Sequence, residues 1–389
     1  MSGLPATTDV VVVGAGPTGL TLGCILAAAR APFVVLDRLA EGANTSRAAV
    51  VHARTLEVLE ELQVTDRMHA AGIVVPTFTM RDRDRVLARI RFDRLPSRYP
   101  YTLMVPQNVT EAILVGRLRE SGGDVHRLCS VEDVRQDGDG VTVTVSRDGQ
   151  PPQTLRARYV VGADGMHSKV RECAGIGFTG ESYEQSFVLA DARLHWSLSP
   201  VEVFLFLSPD GLVVIAPLPG GRHRIVATMD DAPENPGLAD VQRLLDTRGP
   251  ESRPARVEEV VWSSRFRVHH RLADRYRAGR ILLAGDAAHV HSPAGGQGMN
   301  TGIQDAVALG HALAAVLKGR SDETSLDQYE RTRRAIAKRV VAFTDTMTRM
   351  ATLRTSRGRT MRNAFLRLAG RIPAMPQRLA TELSGLRNR

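Results

Sequence analysis

The feature that most constrains this chain is a glycine-rich turn between a strand and a helix near its N-terminus. Four consecutive valines at 10–13 predict a strand buried on both faces of a parallel sheet. The turn at 14–19, GAGPTG, leads into an Ala- and Leu-rich helix over 20–30, and a second apolar strand, 33–36, ends on Asp37. Glycines at this spacing let backbone N–H groups approach a pyrophosphate, and the acid can bind a ribose hydroxyl. The pattern therefore predicts a dinucleotide site and disfavours the alternative, a tight turn without a ligand.

The composition excludes several classes of protein. With 389 residues, 43% hydrophobic and 24% charged, the chain is typical of a two-domain globular protein and not of a disordered, collagen-like or rod-shaped one. The net charge is +9, but only three of the 51 basic residues are lysines, and we expect no nucleic-acid partner. Three scattered cysteines indicate neither a disulfide scaffold nor a zinc site, and no histidine spacing indicates a metal. Without a signal-peptide pattern or an apolar run of spanning length, we expect a cytoplasmic protein.

Two further motifs follow strands later in the chain. A short apolar strand at 159–161 runs into GADG at 162–165. Another, 281–283, ends in Gly285-Asp286, and a glycine-rich loop then leads into a helix over 301–317. An acid after a strand suits a polyhydroxyl chain, and the loop offers backbone N–H groups and a positive helix end to a planar, electron-accepting ring. The alternative is an ordinary strand-to-helix turn, but four glycines within 14 residues indicate close approach of the backbone to a ligand.

Together the three motifs resemble those of class A flavoprotein monooxygenases, the aromatic hydroxylases of the para-hydroxybenzoate hydroxylase fold. They occur in the family's order: GxGxxG at 14–19, GADG followed by Ser168 and Arg171, and GDAAH at 285–289. The resemblance extends to about Leu317. It implies an α/β chain with a Rossmann-like FAD-binding domain, an inserted antiparallel β-sheet domain for the substrate, and C-terminal helices.

The resemblance implies a role for individual residues in holding the adenosine and pyrophosphate of FAD. Asp37 would hold the adenosine ribose, and Arg38 would lie near the adenine. Asp164 and Gly165 would serve the pyrophosphate and a transient nicotinamide cofactor. For Arg171, a surface salt bridge and a functional role remain equally open. The pyrophosphate cradle itself would consist of Gly14, Gly16 and Gly19.

Other residues are implied to surround the flavin. Arg47 would lie beside the ribityl chain and flavin edge, and Gln107 near the ribityl chain or phosphate. Asp286 would bind a ribityl hydroxyl, and Pro293 would line the flavin face on which oxygen is activated. Pro293 and Arg47 are the flavin-proximal candidates for a catalytic role, and no residue is identified as an acid or base. Backbone N–H groups at the flavin pyrimidine would come from Gly298, Met299 and Asn300.

The strand-rich stretch 187–229 indicates where the inserted sheet lies. In this sheet, His223 and Arg224 are expected at the surface, although they could pair with an acidic or phenolic group. We assign three stretches to the FAD-binding domain: 1–75, 98–180 and 268–324. The substrate domain takes 76–97 and 181–267, and 325–389 forms a helical region. Alternating apolar residues are candidates to line the substrate site: Phe204, Phe206, Val213, Ile215, Pro217 and Met229.

The activity implied by the resemblance is a hydroxylation. NADH or NADPH would reduce FAD, O2 would form a flavin C4a-hydroperoxide, and the oxygen would pass to an aromatic, polycyclic, phenolic or polyketide-like substrate. A single GxGxxG disfavours Baeyer–Villiger and N-hydroxylating enzymes, and Trp196 and Trp262 do not form the motif of flavin halogenases. A halogenase, a reductase or dehydrogenase, and a non-catalytic flavin-binding redox protein nevertheless remain alternatives. We expect a monomer or homodimer, and the lack of a thioredoxin-like domain before Arg389 weakens the resemblance to subfamilies that carry one.

The tail has two predicted amphipathic helices, one over 328–350 and one over 361–369. Basic amphipathic helices can lie on anionic membranes. However, an apolar stripe requires burial, and the neighbouring FAD-binding domain is the nearest partner. We therefore expect the tail to pack against that domain and not to bind a membrane.

Overall fold

The computed structural model describes residues 3–42, 48–147, 149–229, 231–353 and 355–388. The helices are α1 (Pro17–Ala28), α2 (Ala53–Leu59), α3 (Thr65–Ala70), α4 (Gln107–Glu120), α5 (Lys169–Cys173), α6 (Leu238–Arg248), α7 (Gly298–Leu317), α8 (Thr324–Ala351), α9 (Ser356–Gly370) and α10 (Ala374–Leu383). The strands are β1 (Thr7–Val13), β2 (Phe33–Leu36), β3 (Val50–Val51), β4 (Ile73–Val75), β5 (Thr77–Asp82), β6 (Arg85–Arg91), β7 (Thr102–Met104), β8 (Val125–His126), β9 (Ser130–Gln136), β10 (Val141–Arg147), β11 (Gln150–Gly162), β12 (Phe178–His195), β13 (Glu202–Ser208), β14 (Gly211–Leu218), β15 (Arg222–Thr228), β16 (Arg256–Ala273), β17 (Arg277–Ala278), β18 (Ile281–Leu283) and β19 (His289–Val290).

The first sheet is built around the valine-rich strand β1. Its order is β17-β18-β11-β1-β2-β8, with β1 parallel to both β2 and β11, and β11 parallel to β18. Val10, Val11 and Val12 are fully buried, as the centre of a parallel sheet requires. Because these strands run in the same direction, their C-terminal ends meet at one edge. The loops that carry the three sequence motifs therefore emerge side by side.

The second sheet has the order β19-β16-β12-β15-β14-β13-β5-β6. Its pairings are antiparallel except for β13 with β5. The two long strands β12 and β16 pair with each other along most of their length and connect the sheet to the FAD-binding half of the chain. The predicted α/β fold with an inserted antiparallel sheet is thus confirmed, while the exact domain boundaries stay a prediction.

The two faces of the second sheet belong to different hydrophobic cores. One face packs with Val241, Leu244 and Leu245 of α6 in a separate small core. The other face contributes to the large core that also contains the strands of the first sheet. Since side chains alternate along a strand, each strand of this sheet is shared between the two cores.

The tail differs from its prediction. Helix α8 packs against α7 and buries Ile336 and Val340, in agreement with the predicted helix over 328–350. Helices α9 and α10, in contrast, pack against β6 of the second sheet. The expectation that the second amphipathic stretch buries its stripe against the FAD-binding domain is therefore wrong, because α9 leaves that stripe in solvent. Among the described helices, none is both long and apolar enough to cross a membrane.

Candidate functional site

The first motif forms a cradle at the N-terminus of α1. Gly14 has φ +102°, and a Cβ atom there would lie 2.3 Å from the carbonyl oxygen of Ala163. A Cβ atom on Gly19 would lie 1.9 Å from the oxygen of Gly14. At Gly16, in contrast, nothing lies within 4 Å of the added atom. Gly14 and Gly19 thus allow strand, turn and helix to pack, while Gly16 faces open space beside the free N–H groups that begin the helix.

Asp37 closes this cradle at the end of β2. Its Oδ2 accepts a hydrogen bond from the N–H of Ala15 at 2.6 Å, and its Oδ1 accepts one from Leu39 at 2.8 Å. Arg127, which the sequence did not single out, lies 3.7 Å from Oδ1. Arg38 is exposed beside it. The carboxylate therefore lies next to the glycine turn, where a ribose hydroxyl can reach it.

The second motif packs against the first at Ala163, whose carbonyl oxygen lies beside Gly14. Asp164 Oδ2 accepts hydrogen bonds from the N–H groups of Lys169 (2.7 Å) and Val170 (3.2 Å), which stabilise the start of α5. Its Oδ1 is buried with no hydrogen-bond partner among the described residues, and burial raises the pKa of this carboxyl. Gly165 has φ +82° and turns the chain away from this acid. The unpartnered oxygen can accept a hydrogen bond from a bound group.

The contacts of Arg171 are local, and a functional role for it stays a prediction. It donates to the carbonyl oxygens of Ala287 (2.9 Å) and Met166 (2.8 Å), and its guanidinium lies 3.8 Å from the centre of the Phe178 ring. Arg171 therefore joins the loop of the second motif to the loop of the third.

The third motif packs directly on the first. Gly285 has φ +61°, and a Cβ atom there would lie 2.5 Å from Oγ1 of Thr18, in the glycine turn. A Cβ atom on Gly302, in the first turns of α7, would lie 2.4 Å from the same oxygen. The next residue, Asp286, is exposed at this junction. The three motif loops and the start of α7 thus converge at one edge of the first sheet.

The N-terminus of α7 supplies backbone donors at this junction. Thr301 is the first residue of the helix whose N–H bonds back along the chain, to Gln297, so the N–H groups of Gly298, Met299 and Asn300 have no intrahelical partner. Pro293 is exposed in the loop that precedes the helix. This arrangement can bind a group that carries negative charge.

The Asn300 side chain has a role that the sequence did not reveal. It donates to the carbonyl oxygens of Val50 and Gly296, both at 2.7 Å, and accepts from the N–H of His52 at 2.8 Å. It therefore holds the glycine-rich loop against the segment that begins at Ala48. Gln107 contacts this segment too, since its Oε1 accepts from the N–H of Ala48 at 3.2 Å. Arg47 lies outside the described residues.

His52 is a second residue that sequence reasoning missed. It is buried, and its Nε2 donates to the carbonyl oxygen of Gly295 at 2.7 Å. Burial lowers its pKa to about 4, so the ring is neutral at pH 7. From the other side, Gln297 donates to the carbonyl oxygen of Leu383 at 2.9 Å. The loop before α7, residues 293–297, is thus held by one neutral imidazole and two side-chain amides. We call it the flavin-side loop.

A buried ionic network supports the third motif from behind. Asp305 accepts hydrogen bonds from Arg333 (2.5 Å), from Nε2 of His289 (2.6 Å) and from the N–H of Gly285 (3.2 Å). Burial acts to raise the pKa of Asp305, but the charge of Arg333 and the bond from His289 hold it below its usual value. His289 therefore has a local contact, to Asp305. The network fixes the turn that presents Asp286.

The substrate-lining candidates lie on the face of the second sheet that α6 covers. Phe204, Phe206, Val213 and Ile215 are buried in the core under α6, and Met229 packs against the same core. Pro217 is buried and has the same strand parity as Ile215. The predicted alternation is present, but a period of two does not say which face a helix covers, and these residues pack in a core.

The residues that alternate with these candidates along β13, β14 and β15 face the FAD-binding half of the chain. Leu205 pairs with Val214, and Val214 with Val226; all three are only partly buried. On the same face as Val226, Arg224 forms a bidentate ion pair with Asp191, and both N–O distances are 2.8 Å. The expected exposure of Arg224 and His223 is wrong, since both are buried, and His223 lies on the α6 face against Trp196.

The converging loops have the chemistry that FAD requires. The open cradle at Gly16 and the helix N-terminus suit a pyrophosphate, the strand-end acids Asp37 and Asp286 suit ribose and ribityl hydroxyls, and the donors at the start of α7 suit a flavin pyrimidine. The unpartnered oxygen of Asp164 adds an acceptor at the same edge. The residues present therefore fit this cofactor.

Residues 7–344 match the FAD binding domain family, and the chain belongs to that family. Its fold and its relatives are those of class A flavoprotein monooxygenases. The chain is 40% identical over 354 residues to 6-methylpretetramide 4-monooxygenase of Streptomyces rimosus, a match that covers 89% of this chain but 62% of the relative. Among solved structures, p-nitrophenol 4-monooxygenase of Pseudomonas putida matches with a TM-score of 0.87 and 28% identity, over 98% of this chain and 99% of that one. An anhydrotetracycline hydroxylase of S. rimosus matches with a TM-score of 0.82 and 36% identity, over 98% and 76%.

Proposed function

We propose that this protein is an FAD-dependent monooxygenase that uses NAD(P)H and O2 to hydroxylate an aromatic or polycyclic substrate of phenolic or polyketide type. The observation that carries the proposal is the convergence of three motif loops and the start of α7 at one sheet edge, facing a partly apolar sheet. Relatives named for tetracycline-type substrates and for p-nitrophenol support the substrate class. FAD, when bound and reduced, supplies the oxygen-activating chemistry. NADH and NADPH remain equal candidates for the reductant.

In this proposal, the chain binds and orients the cofactor mainly through its backbone. The turn around Gly16 holds the pyrophosphate, and Asp37 and Asp286 hold the ribose and ribityl chain. The N–H groups at the start of α7 would lie at the flavin pyrimidine and favour negative charge there. Asn300 and His52 keep the flavin-side loop in position. Arg47 and Pro293 are proposed to lie beside the flavin.

The substrate is proposed to lie between the flavin and the inner face of the second sheet. Leu205, Val214 and Val226 supply apolar contact there. The charges of Asp191 and Arg224 compensate each other on the same face, so this region presents no net charge to a substrate. An uncharged polycyclic phenol fits this surface better than a carboxylate.

The first test is the flavin content of the purified protein, which we expect to be yellow or to become so on reconstitution with FAD. Consumption of NAD(P)H is then measured with a panel of phenols and aromatic polyketides, and product masses are determined. A gain of one oxygen supports the proposal. A halogenated or reduced product, or binding of flavin without stimulated NAD(P)H oxidation, would replace it with one of the alternatives. We propose that the protein is cytoplasmic and that it is a monomer or homodimer. Gradient sedimentation of the purified enzyme tests the oligomeric state.

A further inference from the structure

Helix α9 carries a stripe of large apolar side chains on its solvent side. Met361, Phe365 and Leu368 follow one another at helical spacing, and Ile372 follows just after the helix ends; they are exposed to 72%, 54%, 64% and 47%. Exposed apolar residues are ordinary when scattered, but a row of neighbouring ones forms a patch of the kind that binds a partner. Met375, at the start of α10, extends this surface. We call these five residues the α9 ridge.

The ridge faces solvent because the opposite side of α9 is fixed to the protein. Arg362 is buried and donates to the carbonyl oxygen of Leu207 in β13 at 3.0 Å and to that of Met350 at the end of α8 at 3.1 Å. Asn363 donates to Asp82 of β5 at 2.9 Å, and Leu366 is buried beside them. The helix is therefore docked through polar contacts and one leucine, and its most apolar side points outward.

The segment that carries the ridge is strongly basic. The segment 346–381 contains eight arginines and no aspartate or glutamate. Of these arginines, Arg357, Arg367, Arg371 and Arg378 are exposed, and Arg89 is exposed on β6, against which α9 packs. An apolar stripe bordered by arginine is the pattern of a helix that lies in the interface of an anionic membrane.

We propose that the α9 ridge docks this enzyme reversibly on an anionic lipid surface, with the apolar side chains among the headgroups and the arginines on the phosphates. A second copy fits less well, because a two-fold interface sets like surfaces together and would oppose arginine to arginine. Side chains as exposed as Met361 also project outward and line no groove for a protein partner. This proposal replaces the expectation that the tail binds no membrane, since that expectation required a buried stripe. It is independent of the proposed reaction.

The test is co-sedimentation of the full-length, FAD-loaded protein with vesicles. We expect binding to phosphatidylglycerol–phosphatidylcholine vesicles, little binding to phosphatidylcholine alone, and weakening as salt is raised. The double variant Phe365→Glu/Leu368→Glu should lower the partition coefficient by at least about tenfold. The double variant Arg367→Gln/Arg371→Gln should lower it severalfold, because the apolar stripe remains.

The control is Leu238→Glu, which places the same charge on an exposed leucine at the start of α6, on the far side of the second sheet. It should bind vesicles like the parent. Retention of flavin and an unchanged thermal transition show that each variant is folded. Equal binding of the parent to both kinds of vesicle, or equal binding of parent and ridge variant, would overturn the proposal. So would a parent dimer that the ridge variant converts to a monomer without any change in vesicle binding.

Discussion

The two sheets of this molecule build their parts of the active site in different ways. Around the first sheet, the binding groups are backbone N–H groups and strand-end acids, held by glycines at Gly14, Gly19 and Gly285 where a Cβ atom would overlap a neighbour. On the second sheet, the proposed substrate site is one face of largely apolar strands, and its buried ion pair, Arg224–Asp191, forms no motif in the sequence. A site made from backbone geometry leaves a motif in the sequence, whereas a site made from a sheet face leaves only an alternation.

The largest expected effect tests the backbone side of this comparison. In Gly19→Ala, the new methyl would lie 1.9 Å from the carbonyl oxygen of Gly14, and neither backbone segment can move without disturbing β1 or α1. We expect a loss of at least about 4 kcal/mol of the free energy of unfolding, or failure to fold. Urea unfolding and soluble yield measure the change.

Gly16→Ala is the matched control for that substitution. Its methyl meets no protein atom within 4 Å, and its backbone has φ −76°, which alanine adopts freely. Stability should fall by less than about 1 kcal/mol, while FAD affinity falls because the methyl points into the cradle. Equal destabilisation by the two substitutions would contradict the assignment of Gly19 to packing and of Gly16 to the ligand side of the turn.

The second prediction tests the two faces of the other sheet. Phe206→Ala empties a fully buried position under α6 and should cost about 3–5 kcal/mol of stability, with the KM for the substrate little changed. Leu205→Ala, one residue away on the inner face, should alter KM more and stability less. Urea unfolding and steady-state kinetics of the two variants decide the matter. A larger change in KM for Phe206→Ala than for Leu205→Ala would indicate that the substrate binds on the face that α6 covers.

The sequence predicted the central parallel strands of the first sheet because their motifs constrain the backbone, although β11 (Gln150–Gly162) is much longer than the predicted 159–161. Val10–Val13 could only be a central parallel strand, and Asp286 could only lie where β18 ends. It did not predict Asn300 as a side-chain anchor, or His52, because the carbonyl oxygens of Val50 and Gly295 that they bind lie 250 and 243 residues away in the chain. For the same reason it assigned Arg224 to the surface, since its partner Asp191 lies on another strand.

Asp286→Ala gives a smaller effect, confined to the cofactor. Because the side chain is exposed, we expect only a small change in stability, whereas the loss of the acceptor that we propose for the ribityl chain should weaken FAD binding by about tenfold to a hundredfold. Fluorescence titration of the apoprotein with FAD measures this change. Asp139→Ala, at another exposed acid in the turn before β10, serves as the control. A variant that purifies with full flavin and unchanged affinity would remove Asp286 from the site.

The smallest effect is the pH dependence of stability that comes from His52, which holds the flavin-side loop. Burial lowers the pKa of His52 from 6.5 to about 4, so between these values the unfolded chain binds a proton that the folded protein excludes. The stabilising contribution is complete above pH 6.5 and is lost as the pH falls toward 4, with about 2 kcal/mol gone at pH 5. His52→Gln keeps a donor for Gly295 but cannot titrate, so its stability should fall less between pH 7 and pH 5 than that of the parent. Urea unfolding at both pH values measures the difference, and His167→Gln, at an exposed histidine, should behave like the parent. If His52→Gln kept the full acid dependence of the parent, the flavin-side loop would not be held by a neutral imidazole.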